Sequence, residues 1–110
     1  MIYTVEITEQ ADHDLRAIFE YIAHQLCSME NAVSQLSRLE ENIDSLSYMP
    51  ERCRRYGKEP WYSRGLRVMP VDNYIVFYLP NIERGVVTII RVLYGGRDID
   101  AILSQASEPM

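Results

Sequence analysis

The sequence predicts one α+β domain, in which a hairpin of two helices packs on a mostly antiparallel sheet of four strands. One strand pattern precedes two amphipathic helical patterns, and three strand patterns and a short helix follow, in the order β-α-α-β-β-β-α. The length of 110 residues fits a single domain over 1–110. The content of 47% hydrophobic and 25% charged residues is typical of a globular protein.

The first strand and the first helix are predicted from residue type and spacing. Residues 2–7 are rich in β-branched and aromatic side chains, which favours a strand. Thr8 can act as the N-cap of a helix over residues 9–26, because apolar side chains recur there at spacings of three and four. The predicted buried stripe consists of Ala11, Leu15, Ile18, Ile22 and Leu26.

A second helix of the same kind completes the predicted helical hairpin. Ser28 is a suitable N-cap, and Pro50 follows the last plausible turn. The apolar stripe consists of Val33, Leu36, Leu39, Ile43 and Leu46. Most carboxylates of the two helices lie away from the stripes, which indicates a solvated face rather than an acid–base pair.

A β-hairpin is predicted after a long, basic connection. Residues 66–71 and 74–79 have strand character, and the intervening Asp72 and Asn73 tolerate the positive φ that a tight turn requires. Pro70 cannot donate a hydrogen bond to a neighbouring strand. The first strand of the hairpin should therefore lie at a sheet edge or be bulged at this point.

The last strand is predicted to be central. Residues 86–94 are nearly all apolar, as expected for a strand that is covered on much of both faces. Gly95 and Gly96 end this strand, and Asp98 can cap a short terminal helix.

Charge is distributed unevenly along the chain. The 11 basic and 16 acidic residues give a net charge of −5, which excludes a general basic footprint for nucleic acid. Residues 1–50 hold two basic and nine acidic side chains, a net of −7. Residues 52–67 hold six basic side chains and one acidic, a net of +5. This basic segment is a candidate anchor for an acidic partner.

Several classes of protein are not indicated. No apolar run approaches the ~18 residues of a membrane span, and no basic leader precedes the first strand, so we expect a cytoplasmic protein without a membrane partner. Cys27 and Cys53 are too few for a disulfide framework, and with only two histidines no zinc site is expected. Nucleophile and phosphate-loop motifs do not occur, and no cofactor is expected.

One group of guanidinium and phenol side chains is a candidate for binding an anionic target. Arg91 interrupts the most apolar strand, and a buried unpaired guanidinium is costly, so we expect it to pair with an acid, with Asp98 or Asp100 as candidates. Converging guanidinium groups could clamp phosphates or stabilise a developing anion. The candidate residues are Arg64, Arg67, Arg91, Tyr94 and Arg97. Alternatively, each arginine forms a structural ion pair or lies at a rim.

The chain resembles the RelE/ParE superfamily, the toxins of bacterial type II toxin–antitoxin modules, over essentially its whole length. The resemblance rests on the strand at 3–7 running into 11–21, the helical hairpin, residues 65–71 (GLRVMPV) with 74–78 (YIVFY), and residues 90–99 (IRVLYGGRDI). The last two segments are the most specific, and their residues are most similar to those of the ParE-like branch. The resemblance implies a toxin that a cognate antitoxin holds inactive.

The superfamily contains both inhibitors of DNA gyrase and metal-independent, ribosome-dependent mRNA endonucleases. If this chain is a nuclease, the resemblance assigns catalysis to Arg67, Tyr94 and Arg97. Three further positions that carry basic or acid–base groups in the nucleases are apolar here, namely Val68 or Met69, Ile75 and Leu103. We therefore expect binding and inhibition of gyrase. The alternatives are an endonuclease acting on the translating ribosome, and a non-toxic co-repressor that reaches DNA only through its antitoxin.

Two surfaces are expected to receive the antitoxin. The basic segment and its aromatic neighbours supply one, with Arg54, Arg55, Lys58, Trp61 and Tyr62. The outer faces of the helices supply the other, where Tyr21, Met29 and Met49 are expected to stay exposed and to meet an amphipathic tail. Trp61 is also expected to cover the core.

Overall fold

The computed structural model describes residues 2–96 and 99–106, and a four-stranded sheet lies at its centre. The strands are β1 (Thr4–Ile7), β2 (Arg67–Val71), β3 (Tyr74–Asn81) and β4 (Val86–Tyr94). The helices are α1 (Glu9–Glu20), α2 (Met29–Asp44), α3 (Trp61–Arg64) and α4 (Ile99–Ala106). The predicted α+β order is confirmed, and the short α3 is an addition within the connection. A π-helical turn at Tyr21–Gln25 extends α1, and 3-10 turns lie at Ser45–Ser47 and Pro50–Arg52.

The strands are ordered β1-β4-β3-β2 across the sheet. The pairs β4–β3 and β3–β2 are antiparallel, whereas β1 runs parallel to β4. Both predictions about strand position are confirmed, since the strand that contains Pro70 lies at an edge and β4 lies inside the sheet. Asp72 has a φ of 55° in the turn between β2 and β3, as the hairpin prediction required.

A β-bulge interrupts the pairing of β3 with β4. Phe77 lies opposite Arg91 and Tyr78 lies opposite Ile89, so Ile90 is an extra residue on β4. An extra residue shifts the alternation of side chains between the two faces of a strand. The alternation of side chains between the helix-facing side and the opposite side is therefore offset by one residue between the two halves of β4.

The predicted caps of α1 and α2 are confirmed, and the third predicted cap, Asp98, lies outside the described residues. The Thr8 hydroxyl accepts a hydrogen bond from the Ala11 backbone N–H at 3.1 Å, and the Ser28 hydroxyl accepts one from Asn31 at 3.2 Å. Each cap satisfies one of the backbone donors that a helix leaves unpaired in its first turn.

The predicted buried stripes are wrong at one residue in each helix. Leu26 is 58% exposed, because the π-helical turn carries more residues per turn than an α-helix and rotates Leu26 away from the stripe. Val33 is 51% exposed, and the small Ala32 is buried in its place where the two helices approach each other.

Each face of the sheet has its own core, because neighbouring residues of a strand point to opposite faces. The helical hairpin covers one face, where Leu15, Leu39, Ile43, Tyr78 and Ile89 are buried. The other face is covered by α3, the connection before β2 and α4, where Trp61, Leu66, Val68, Phe77, Leu93 and Leu103 are buried. Burial of a large apolar side chain contributes about 1.5–3 kcal/mol, so both faces stabilise the sheet.

Candidate functional site

Arg91 is fixed by a buried ion pair with Asp14 of α1. Arg91 Nε lies 2.7 Å from Asp14 Oδ2, and a second guanidinium nitrogen donates to Asp14 Oδ1 at 2.9 Å. The side chains are only 12% and 8% exposed. Hydrogen bonding to Asp14 raises the pKa of the Arg91 guanidinium, against the opposing effect of burial. The expectation of a partly buried, paired Arg91 is confirmed.

The expected partner of Arg91 was wrong. The carboxylate of Asp14 takes the place assigned to Asp98 or Asp100. Asp98 and the side chain of Asp100 lie outside the described part of the structure. Asp14 Oδ2 also accepts the backbone N–H of Val92 at 3.0 Å. Because β1 ends at Ile7, opposite Ile89, it does not reach Val92, and the Asp14 carboxylate satisfies the donor that a longer strand would have paired.

Arg67 binds the protein's own backbone. One guanidinium nitrogen donates to the carbonyl of Cys53 at 2.6 Å and to that of Glu51 at 3.2 Å. The other terminal nitrogen of the guanidinium lies 3.7 Å from the Glu51 carboxylate, and the Arg67 side chain is 17% exposed. This side chain thus ties the connection after α2 to the start of β2. A role in binding a target anion would require these contacts to be exchanged.

Tyr94, another of the candidate residues, faces open space. It is 51% exposed at the end of β4 and packs edge-to-face against Tyr74, with ring centroids 6.0 Å apart. Both rings line a pocket of about 490 Å³ between the sheet and the end of α1, together with Ile18 and Tyr21. Burial raises the pKa of the Tyr74 phenol. The described residues that line the pocket offer phenol and aliphatic surface, and none of them is a cation.

The expected convergence of arginines is not seen among the described residues. Arg64 lies on α3 with its guanidinium 5.1 Å from the centre of the Trp61 ring. Arg67 is held by the 51–53 backbone and Arg91 by Asp14, so the three guanidinium groups have three different environments. Arg97, the fourth arginine of the candidate group, lies outside the described residues.

The basic connection and α3 form a separate charged surface, which we call the α3 surface. Its exposed members are Arg54, Arg55, Lys58, Tyr62 and Arg64. The Arg55 guanidinium lies 5.2 Å from the centre of the Tyr62 ring. Trp61 is only 6% exposed, which confirms its expected place in the core. Of the predicted antitoxin-binding residues, Trp61 thus presents little surface to a partner.

A second surface, on the helical hairpin, is apolar and exposed. Tyr21, Met29 and Met49 are 52%, 55% and 65% exposed, as expected. Leu26 and Val33 extend the exposed apolar area, although the sequence placed them on the buried stripes. We call Tyr21, Leu26, Met29 and Val33 the hairpin surface. In the sequence, the close spacing of apolar residues on both sides of the turn at Cys27 could have identified the hairpin surface.

The positions at which this chain departs from the nucleases are largely inaccessible. Val68 and Leu103 are 3% and 1% exposed, and Ile75 is half-buried. Within residues 2–96 and 99–106 there is no group of three or more side chains that could hold a metal ion. In the same part of the chain, no helix is both long and apolar enough to cross a membrane.

Comparison with solved structures shows the same fold at low sequence identity. A chain of the chromosomal ParDE toxin–antitoxin system of Pseudomonas aeruginosa matches with a TM-score of 0.71 and 18% identity, covering 84% of this chain and 96% of that one. A variant of the Escherichia coli toxin RelE in the free state matches with a TM-score of 0.64 and 16% identity, covering 96% and 95%. A chain of the archaeal RelE–RelB complex of Pyrococcus horikoshii matches with a TM-score of 0.62 and 21% identity, covering 88% and 99%.

The sequence comparison gives the family. No curated protein matches the chain. Residues 5–99 match the ParE toxin of the type II toxin–antitoxin system parDE, a range that includes the helical hairpin and all of the sheet except Thr4. The chain therefore belongs to the family of ParE toxins of type II toxin–antitoxin systems.

Proposed function

We propose that this toxin arrests growth by binding DNA gyrase and inhibiting it, and that a cognate antitoxin holds it inactive. The observation that carries the proposal is the ParE family match over residues 5–99. Inhibition by binding requires a complementary surface and no acid–base group. The exposed Tyr94, the pocket beside it and the α3 surface provide area of this kind.

The state of the basic groups supports binding over phosphodiester cleavage. Acid–base transfer contributes ~10² to 10⁴ in rate, and a nuclease needs titratable groups at the scissile phosphate. Arg67 donates to backbone carbonyls, and Arg91 is held by Asp14. Apolar side chains fill the Val68 and Leu103 positions.

The target is tested with the purified toxin in two parallel assays. Supercoiling of relaxed plasmid DNA by gyrase should fall as toxin is added, and primer extension on a translated message should show no new cleavage. Clean cleavage at the ribosomal A site, without an effect on supercoiling, would replace gyrase inhibition with the endonuclease mechanism. A chain that neither inhibits gyrase nor cleaves message, but binds operator DNA together with its antitoxin, would be the co-repressor.

The antitoxin is proposed to place an amphipathic tail on the hairpin surface. Tyr21, Leu26 and Met29 expose apolar side chains around the turn that joins the helices, and apolar anchors at helical spacing could bury them. Co-expression with the product of an adjacent gene should give a complex that survives moderate salt. Tyr21→Asp should weaken the complex, whereas Ile82→Asp, at an apolar residue on the distant β3–β4 turn, should not. If the partner separates from the unaltered toxin at moderate salt, this docking is wrong.

A further inference from the structure

Residues 54–56 extend the sheet beyond β2 by one pairing step. Arg55 forms an antiparallel bridge with Arg67. The bridge consists of two backbone hydrogen bonds, from Val68 N–H to the Arg54 carbonyl at 3.0 Å and from Tyr56 N–H to the Leu66 carbonyl at 2.8 Å. Since these bonds use the groups on either side of Arg55, the N–H and C=O of Arg55 itself point away from β2. The outermost edge of the sheet here therefore presents a donor and an acceptor.

The same edge carries uncompensated positive charge. Arg54 and Arg55 are exposed, and neither forms an ion pair with any carboxylate in the part of the chain that the structure describes. Tyr62 is 45% exposed, and its ring lies under the Arg55 guanidinium. This stacking restricts the orientation of the guanidinium and leaves the guanidinium N–H groups available. The acid in this segment, Glu59, is engaged by Ser63, whose hydroxyl donates at 2.7 Å and whose backbone N–H donates at 3.0 Å.

We propose that this edge binds an extended, acidic segment of the antitoxin, which pairs with the Arg55 backbone and places carboxylates on Arg54 and Arg55. Strand addition gives affinity through main-chain hydrogen bonds, and guanidinium groups match carboxylates in geometry and charge. The inference rests on the proposed function only for the identity of the partner. It assigns to the antitoxin a second contact, of different chemistry from the apolar contact on the hairpin surface.

Two other occupants fit the edge less well. A second copy of this chain would bring its own Arg54 and Arg55 against the same pair, and like charges on an edge oppose edge-to-edge pairing. A DNA strand could accept the Arg55 N–H at a phosphate oxygen, but its sugar–phosphate backbone has no donor for the Arg55 C=O. It would also extend past the small basic area of a chain whose residues 1–50 carry a net −7.

The test uses the full chain and a short synthetic peptide in which glutamate alternates with valine. We expect binding in a fluorescence anisotropy titration at low salt, and weaker binding as salt is raised. The matched peptide with glutamine in place of glutamate should bind much more weakly, because it lacks the charge. The acidic peptide N-methylated at alternate residues should also lose affinity, because it cannot pair along the edge.

Matched variants locate the contact. Arg55→Glu should weaken binding of the acidic peptide by about tenfold, and Arg84→Glu, an equal change of charge on the exposed β3–β4 turn, should change it by less than about twofold. Thermal melts of both variants show whether they fold. Equal losses in the two variants, or no binding of the acidic peptide, would refute the inference. Neither result bears on gyrase inhibition, which the supercoiling assay of the unaltered chain tests separately. Tighter binding of a single-stranded oligonucleotide that displaces the peptide would assign the edge to nucleic acid.

Discussion

Asp14 and Arg91 lie 77 residues apart in the sequence and form a two-pronged ion pair, 2.7 and 2.9 Å long, at the point where β1 stops accompanying β4. The same carboxylate accepts the N–H of Val92. One side chain of α1 thus neutralises a buried charge and completes the hydrogen bonding of the central strand. This double role links the helical hairpin to the half of β4 that carries Tyr94.

Loss of Asp14 should destabilise the protein strongly. Asp14→Ala leaves the Arg91 guanidinium buried without its acid and Val92 N–H without its acceptor, and we expect a cost of about 3–5 kcal/mol in the free energy of unfolding. Asp14→Asn should cost less, because the amide oxygen can still accept from Val92. Urea denaturation measures both. The control is Asp12→Ala, which removes an exposed ion pair with Arg16 and should cost at most ~1 kcal/mol. Equal costs at the two positions would contradict the assigned role.

The Tyr78 hydroxyl should matter for stability and not for target binding. Tyr78 is fully buried, its hydroxyl donates to the Pro50 carbonyl at 2.8 Å, and burial raises the pKa of the phenol. Tyr78→Phe leaves that carbonyl unsatisfied, which should cost ~1–3 kcal/mol by thermal or chemical denaturation. Tyr62→Phe makes the same chemical change on the exposed α3 surface and should be nearly neutral. A neutral Tyr78→Phe would show that solvent reaches the Pro50 carbonyl.

A substitution of Arg67 should show whether this residue has a structural or a catalytic role. Arg67→Met removes charged hydrogen bonds to the 51 and 53 carbonyls, and we expect a loss of ~1.5–3 kcal/mol in stability. If the toxin acts by binding gyrase, inhibition per folded molecule should stay close to that of the unaltered chain. Supercoiling assays at a temperature where the variant is folded measure this directly. A stable, folded Arg67→Met that has lost all activity would instead place Arg67 in the functional site.

The stability of the turn between β2 and β3 should depend on pH through Asp72. Hydrogen bonds from Arg38 and Gln35 hold the pKa of the Asp72 carboxyl below its ordinary value. The folded state therefore releases the proton more readily than the unfolded state does. The stabilisation is present above the ordinary Asp value of ~3.9 and is lost as the pH falls through the lowered folded-state pKa. In Arg38→Met, NMR titration should show the Asp72 pKa moving up. An unchanged titration would show that the contact does not persist in solution.

Arg97 lies outside the described residues, and its prediction comes from the sequence and the family resemblance. The two preceding glycines allow an exposed side chain, so Arg97→Ala should change stability by no more than ~0.5 kcal/mol while abolishing growth arrest. Thermal melts and growth assays of induced cultures measure the two effects. If Arg97→Ala unfolds the protein, the residue has a structural role instead.

The sequence by itself determined the elements and part of their arrangement. The periodic spacing of apolar residues is a local property of the sequence, so it defined both helices of the hairpin. The residue preferences of turns and caps placed Thr8, Ser28 and Asp72 correctly. Pro70 implied an edge strand, and the unbroken apolar character of β4 implied a central one. The energetic cost of an unpaired guanidinium also showed that Arg91 must have an acidic partner.

Only the tertiary structure decided which groups meet. The partner of Arg91 is Asp14 because β1 is short and parallel to β4, and neither property follows from local spacing. The π-helical turn shifts the pattern of side chains by a fraction of a turn, which moved Leu26 out of the core. The bulge at Ile90 shifts the pattern of β4 by one residue. Arg67 turned inward to the 51–53 carbonyls because the connection folds back over the start of β2. Such contacts depend on the relative positions of distant segments, and packing of the whole chain fixes those positions.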